Sequence, residues 1–313
     1  MDKLIEDYRK GLMSEDDFLT ESFKYHRELE NYTKLLCGGN VKKIEICPEG
    51  VFLQIHINGK KFYMKLNQGD ICDIPALVLN FGEFETQELD MVMKIMSYLK
   101  KDGVFFDVGA NLGWYSLILH SWNSDYRCYS FEPVKETFDK MVVNFKRNGF
   151  DTSRCYNFGL YKESTDINFY FNTEESGASS LANLRENAGT IAVVCKMKTM
   201  DDFVKEEGID GLDFIKCDVE GSELFVYQGG RETIEKYKPV VFSEMLRKWC
   251  RKFEYHPNDI IAMFRTMDYE CFVITANNNL ARIEEVTEET VETNYFFLHK
   301  GKHKKIIEEL AEG

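Results

Sequence analysis

Two acidic residues stand where buried strands are expected to end. Asp107 closes the apolar run 104-VFFDV-108, which leads into the turn 109-GANLG-113, and Glu132 follows the next apolar run, 127-RCYSF-131. In an open parallel sheet, ligands bind beyond the carboxyl ends of the strands. A carboxylate after the second strand, 25 residues beyond the first, suits the two ribose hydroxyls of an adenosine.

The glycine turn limits the kind of ligand that fits. Gly109 and Gly113 lack a Cβ atom where the backbone must approach a ligand, and the helix that follows offers free N–H groups. Asn111 stands where the dinucleotide fingerprint needs its second glycine, which disfavours a pyrophosphate. Because Asp107 suits a cationic group, the pattern predicts S-adenosylmethionine, an adenosine that has no phosphate and carries an amino-acid end.

A second group of charged residues lies in 213-DFIKCDVEGSE-223. Lys216, Asp218 and Glu220 share one side of the expected strand if its period of two continues, and charges at this end of a parallel strand face the crevice. For Glu223, a place in the crevice and a place as a helix N-terminal acid favoured by the macrodipole both remain open.

The surrounding elements alternate between strand and helix from residue 104 onward, which predicts a parallel sheet. The expected strands are 104–108, 126–131, 154–158, 212–218 and 239–244, with a helix at 135–148 and an antiparallel closing pair near 270–276 and 294–300. Two further strands, 166–172 and 192–198, flank the loop 174–189, and Thr199 with Asp202 caps a short helix. The loop residues Ser176, Ser179 and Ser180 are a candidate lid, with a solvated loop as the alternative.

The first 80 residues read as a small α+β appendage, and 81–313 as the main domain. Ser14 caps a helix expected at 14–36, and the run 41–67 has a period of two with a tight hairpin turn at 58-NGK-60. A helix is expected over 81–103, ended by Gly103. The appendage either covers the acceptor site, pairs two subunits into a homodimer, or docks on a larger partner.

Composition excludes several classes of function. A formal charge of −14 argues against binding nucleic acid or anionic lipid. The charged N-terminus and the lack of an 18-residue apolar run predict a cytoplasmic protein with no membrane span. Nine cysteines without a CxxC pair indicate reduced thiols and no zinc site. His299 and His303, four apart in a basic run near the C-terminus, are expected at the surface.

The sequence resembles the FkbM-type family of S-adenosylmethionine-dependent methyltransferases over residues 81–300. The matching segments are FFDVGANLGWYS, SFEP, IKCDVEGSE and KPVVFSEM, with FGEFETQE at 81–88 as a looser match. This resemblance implies a Rossmann-like class I methyltransferase fold, with helices on both faces of a seven-stranded, mostly parallel sheet whose last hairpin is reversed. It also implies O-methylation of a sugar, glycan or secondary metabolite.

The resemblance also assigns the cofactor-binding residues. The methionine end would be held by Asp107, Gly109, Ala110, Asn111 and Gly113, the ribose by Glu132, and the adenine by Pro133 or Val134 together with Asn157.

Methyl transfer to an alcohol calls for a general base within hydrogen-bond reach of the hydroxyl. Asp218 is the first candidate for this base, followed by Glu220 and Glu244. Lys216 either keeps Asp218 ionised or stabilises the developing alkoxide, unless its side chain faces the helix layer instead. The same three carboxylates would be the ligands of a divalent metal, which is not favoured. The alternatives are a nicotinamide-dependent oxidoreductase, which Asn111 argues against, and a catalytically silent binding or scaffold protein.

Overall fold

The computed structural model describes residues 1–67, 69–70, 73–172 and 190–312. The candidate lid with its serines lies outside these described residues. The strands are β1 (Val41–Cys47), β2 (Gly50–Ile57), β3 (Lys60–Leu66), β4 (Val104–Val108), β5 (Arg127–Phe131), β6 (Cys155–Tyr156), β7 (Gly159–Leu160), β8 (Thr165–Asn172), β9 (Thr190–Lys198), β10 (Phe214–Cys217), β11 (Val240–Glu244), β12 (Tyr269–Ile274), β13 (Leu280–Ile283) and β14 (Asn294–His299).

The helices connect these strands and cover the main sheet. They are α1 (Asp2–Arg9), α2 (Glu15–Tyr32), α3 (Ile74–Phe81), α4 (Thr86–Met96), α5 (Trp114–Trp122), α6 (Lys135–Arg147), α7 (Met200–Glu206), α8 (Glu223–Gln228), α9 (Arg231–Tyr237), α10 (Arg247–Cys250), α11 (Pro257–Arg265) and α12 (Lys304–Leu310). Phe105 and Phe106 are both fully buried but belong to different apolar clusters, because successive residues of β4 face opposite sides of the sheet.

The main sheet has the order β13-β12-β14-β11-β10-β4-β5-β6. Its strands from β11 to β6 pair in parallel, and β14 lies antiparallel between β11 and β12, as the sequence predicts. The prediction of seven strands is wrong by one. The eighth, β13, pairs with β12 across a tight turn in which Thr275 N–H donates to the Asn279 carbonyl at 2.9 Å.

The N-terminal strands form a separate antiparallel sheet, β1-β2-β3. Asn58 and Gly59 both have positive φ, +48° and +76°, so the predicted hairpin turn is confirmed. The edge of β3 is covered by α6 and the residue after it, since the Tyr63 and Lys65 N–H groups donate to the amide oxygens of Asn148 and Asn144 at 2.7 and 2.8 Å. This sheet therefore packs directly on the helix layer of the main sheet, and a domain division at residue 80 stays a prediction.

The region before the main sheet differs from the sequence prediction. Of the helix expected over 81–103, only α4, from Thr86 to Met96, is formed. A separate helix, α3, precedes it and ends at its C-cap, Gly82, which has a φ of +87°. The predicted N-terminal helix ends at Tyr32 and continues as a 3₁₀ turn, and its Ser14 cap is confirmed.

The surface position predicted for the two histidines is also wrong. His299 ends β14 and is 7% exposed, and His303 is 2% exposed. The His303 Nδ1 accepts the backbone N–H of His299 at 3.0 Å, and burial lowers the pKa of His303 to about 3. The end of β14 carries His299 inward and the start of α12 carries His303 inward, while the lysines between and after them are exposed.

A third sheet, β7-β9-β8, follows β6. It contains the predicted antiparallel pair of inserted strands, and the Thr199 hydroxyl accepts the Asp202 N–H at 3.0 Å at the start of α7. Eight cysteines lie within the described ranges, and all of them are free thiols. No helix among the described residues has the length and apolar character needed to cross a bilayer.

Candidate active site

A cavity of about 220 Å³ lies at the carboxyl ends of β4, β5, β10 and β11. Its lining includes the glycine turn after β4, Glu132 after β5, and the charged residues Lys216 and Asp218. The described lining residues are Ile74, Leu77, Phe84, Glu85, Val108, Gly109, Ala110, Asn111, Trp114, Tyr115, Glu132, Pro133, Gly159, Leu160, Phe169, Met197, Lys216, Asp218, Val219, Glu220, Ser222 and Glu244.

The glycine turn after β4 forms the floor of the cavity. The N–H groups of Gly109 and Ala110 both donate to the Phe131 carbonyl, at 3.1 and 2.9 Å, which fixes the turn against β5. Gly109 has φ +77°, and a Cβ atom there would lie 1.8 Å from the Asp218 carbonyl oxygen. Only glycine fits this position, because the turn and the end of β10 touch through their backbones.

Glu132 lies at the end of β5 and is 7% exposed. Its two carboxylate oxygens accept the N–H groups of Asn111 and Val134 at 3.0 and 2.9 Å. Burial raises the pKa of Glu132 to about 7, and these two backbone hydrogen bonds oppose that rise. The predicted ribose carboxylate therefore lines the cavity and also ties the glycine turn to the second strand.

Three of the predicted cofactor residues do not line the cavity. Asp107 is 1% exposed, with one oxygen accepting the Ser116 N–H and hydroxyl, at 3.1 and 2.7 Å, and the other buried without a partner among the described residues. At Gly113 an added Cβ would lie 2.7 Å from the Phe145 ring, so this glycine allows α5 to approach α6.

Asn157 is the third of these residues. Its amide nitrogen donates to the carbonyl groups of Glu132 and Pro133, at 3.0 and 3.1 Å. The side chain thus supports the backbone beside the cavity instead of facing it.

Lys216 and Asp218 form the charged centre of the cavity. The Lys216 Nζ lies 3.2 Å from an Asp218 oxygen, 3.5 Å from the Gly109 carbonyl and 5.3 Å from the centre of the Tyr115 ring. Burial alone lowers the pKa of Lys216, but the neighbouring carboxylates, Asp218 foremost, outweigh it and raise the pKa above its usual value. The lysine is therefore a permanent ammonium held against a carboxylate that is about one-third exposed.

Two further acids stand beside Asp218. One carboxylate oxygen from each of Asp218, Glu220 and Glu244 lies within 4.8 Å of the other two. Burial, followed by the charge of Asp218, raises the pKa of both Glu220 and Glu244. The structure thus brings together the four residues that the sequence suggested for catalysis, with two of the acids favouring their protonated form.

The turn that carries Asp218 and Glu220 is anchored by Glu223. One of its oxygens accepts the N–H groups of Val219 and Gly221, at 3.1 and 3.0 Å, and the other accepts the Tyr255 hydroxyl at 3.2 Å. Glu223 is 1% exposed and does not line the cavity. Its role is to hold the turn 218–222 in place.

Glu85 is a cavity residue that the sequence reasoning missed. It precedes α4 in the left-handed conformation, at φ +48°, and accepts the Tyr115 hydroxyl at 2.7 Å. Burial raises the pKa of Glu85 to about 7, while the charge of Lys216 opposes that rise. Two sequence signals mark the limits of α3: Pro75 near its start and Gly82 after its end. The second of these separates α3 from α4 and leaves Glu85 in the turn between them.

Comparison with known proteins identifies the family. The sequence model of the methyltransferase FkbM domain matches residues 107–271, which is more than half of the chain. The chain belongs to the FkbM family of S-adenosylmethionine-dependent methyltransferases, and its sheet is that of the class I methyltransferases with one added edge strand.

Two characterised relatives show more distant similarity. The hexuronic acid methyltransferase AglP of Haloferax volcanii is 26% identical over 154 residues, which cover 49% of this chain and 61% of AglP. The 2-O-methyltransferase NoeI of Sinorhizobium fredii is 23% identical over 188 residues, which cover 55% of this chain and 76% of NoeI. This chain thus spans less than two thirds of AglP.

A solved structure shows a looser resemblance. The crystal structure of methyltransferase FkbM from Methylobacillus flagellatus aligns with a TM-score of 0.41 and 17% identity, over 74% of this chain and 56% of that one.

Proposed function

We propose that this protein transfers the methyl group of S-adenosylmethionine to a hydroxyl group of a sugar, glycan or secondary metabolite. Family membership supports methyl transfer, and the names of AglP and NoeI favour a carbohydrate acceptor. The observation that carries the proposal is the Lys216–Asp218 pair, which stands in the same cavity as the glycine turn and Glu132.

The residues of the cavity fit the methyl donor. Glu132 would accept the ribose hydroxyls, the turn 109–111 would lie under the methionine end, and Pro133, Leu160 and Met197 would provide apolar contacts for the adenine. Asn111 has a buried amide oxygen without a partner among the described residues, which is the kind of atom a ligand donor satisfies. When bound, S-adenosylmethionine supplies an already activated methyl group, so the protein has mainly to align the acceptor and exclude water.

Asp218 is the proposed general base. It follows the last residue of β10, its side chain is about one-third exposed, and the Lys216 ammonium lies 3.2 Å from one of its oxygens. Removing the hydroxyl proton as the new C–O bond forms is the step this carboxylate would perform. Glu220 and Glu244 remain weaker candidates, since the raised pKa of each favours the protonated acid.

The same carboxylates would be the ligands of any divalent metal. Asp218, Glu220 and Glu244 offer the oxygen set that Mg²⁺ or Ca²⁺ prefers. Lys216 already provides a positive charge beside Asp218, so we propose that the reaction runs without a metal.

The N-terminal residues are proposed to cover this cavity. Ile74 and Leu77 line it, and the Phe62 ring lies 5.7 Å from the ring of Trp114, another lining residue. Of the three roles suggested for the appendage, covering the bound substrates is the one these contacts favour. Pairing of two subunits through the appendage stays a prediction.

The test is methyl transfer from radiolabelled S-adenosylmethionine to a panel of sugar nucleotides and glycosides. We expect transfer to at least one acceptor, loss of about 10²- to 10⁴-fold in kcat for Asp218→Asn, and retained donor binding in that variant. Full activity of Asp218→Asn would remove Asp218 as the base. Binding of NAD in place of S-adenosylmethionine would instead favour the oxidoreductase, and donor binding without any transfer would favour a silent binding protein.

A further inference from the structure

Glu85 is the feature of the cavity that the family match leaves unexplained. It lies 22 residues before the matched segment, which begins at Asp107. Glu85 has a φ of +48°, in the left-handed region that non-glycine residues rarely adopt, and this turn directs its side chain into the cavity lining.

The two oxygens of the Glu85 carboxylate differ in their hydrogen bonding. Among the described residues, one of its oxygens accepts the Tyr115 hydroxyl at 2.7 Å, and this fixes the direction of the side chain. Tyr115 is 3% exposed and also presents its ring to the Lys216 ammonium. Since Glu85 lines the cavity, its second oxygen is available to a ligand.

The charges around the cavity call for a second cation. Within the described lining, Lys216 is the only basic side chain, and it is paired with Asp218 at 3.2 Å. Glu85 also lines the cavity close enough for the charge of Lys216 to act on it, but among the described residues it forms no ion pair within 4 Å. The amino-acid end of the methyl donor carries an ammonium group that would supply this charge.

Asp107, which the sequence suggested for this task, is poorly placed to perform it. Its free oxygen has less than 1 Å² of accessible surface, so a group as large as water does not reach it. An ammonium group is about as large as water and meets the same barrier. Asp107 instead fixes the start of α5 through Ser116.

We infer that Glu85 binds the α-ammonium group of the methyl donor, and thereby extends the donor site to a residue that precedes the segment matched by the family model. The inference rests on the proposed function, because it requires a donor with an amino-acid end in this cavity. Glu85 then favours binding of donors and products that carry an intact amino-acid end over ligands that lack it.

The test is isothermal titration calorimetry with three ligands: S-adenosylhomocysteine, its analogue with hydrogen in place of the α-amino group, and 5′-methylthioadenosine, which lacks the whole amino-acid end. We expect the wild-type protein to bind S-adenosylhomocysteine about tenfold or more tightly than the deaminated analogue, the loss expected for a hydrogen bond between charged groups. In Glu85→Gln this difference disappears, while the affinity for 5′-methylthioadenosine is unchanged. Glu83→Gln, an exposed neighbour two residues earlier, serves as the matched control and leaves all three affinities unchanged.

The outcomes separate this inference from the proposed function. Equal affinity of wild-type protein for S-adenosylhomocysteine and its deaminated analogue overturns the inference without any variant having to fold. An equal loss of all three ligands in Glu85→Gln also overturns it, since that result indicates a collapsed cavity. Failure of wild-type protein to bind even 5′-methylthioadenosine would refute the proposed donor site itself.

Discussion

The two ends of the cavity hold their carboxylates in different ways. At the β5 end, both oxygens of Glu132 accept backbone N–H groups, so the acid is part of the framework. At the other end, Asp218, which follows β10, and Glu85, which precedes α4, contact the side chains of Lys216 and Tyr115. The first end is therefore a framework end, held by backbone hydrogen bonds, whereas the second is an adjustable end, where substitution of one side chain changes the surroundings of another.

The largest expected effect comes from Gly109→Ala, because this position joins the two ends. The added Cβ would lie 1.8 Å from the Asp218 carbonyl and would also disfavour the φ of +77°. We expect destabilisation of about 2–4 kcal/mol and loss of donor binding. Urea unfolding and calorimetry measure the two effects, with Gly149→Ala, where φ is also positive but the space is open, as the control. Donor binding as strong as in the wild type would show that the turn and β10 are independent.

Lys216→Met tests the adjustable end. Without the ammonium, Asp218 loses its ion-pair partner beside two further acids. We expect kcat to fall about 10- to 100-fold near neutral pH, with partial recovery at higher pH as the acid cluster ionises. The kcat-against-pH profile is the measurement. A profile of unchanged shape would mean that Lys216 does not influence the base.

Glu132→Gln tests the framework end. A neutral amide has only one acceptor oxygen for the two N–H groups that Glu132 now receives. We expect the donor affinity to fall by about tenfold and kcat to change little, since the acid is remote from the transferred group. A matching loss in kcat with unchanged affinity would contradict the division between the two ends.

Donor affinity should also depend on pH. Burial raises the pKa of both Glu132 and Glu85 to about 7, so both carboxyls gain protons as the pH falls through 7. Protonation of Glu132 then removes an acceptor for the ribose hydroxyls, and protonation of Glu85 removes the charge that faces the α-ammonium group. The affinity for S-adenosylhomocysteine should therefore fall by up to about tenfold per pH unit for each group below that point. Calorimetry at pH 8, 7 and 6 measures this, and constant affinity across the range would sink the expectation.

The smallest effect is expected from metal removal. Activity should be unchanged in excess EDTA, because Lys216 supplies the positive charge near Asp218. Loss of activity in EDTA and its recovery with Mg²⁺ would assign a metal to Asp218, Glu220 and Glu244.

The sequence predicted those features that depend on strand ends. Glu132 and Asp218 follow buried apolar runs, and a parallel sheet brings the carboxyl ends of its strands to one edge regardless of the loops that connect them. It did not predict Glu85, because that residue depends on a break between two helices that a continuous apolar pattern conceals. The sequence also could not show that the Asn157 amide donates to backbone carbonyl groups, since hydrogen-bond partners depend on the packed structure.

The anchoring of the turn 218–222 has a consequence for engineering. Glu223 and Tyr255 hold that turn from the protein side, and neither side chain lines the cavity. Wall residues such as Ile74 and Leu77 belong to a different element, α3, and make no part of this anchor. Substitutions at Ile74 and Leu77 should therefore change the shape of the cavity while Asp218 and Glu220 keep their positions.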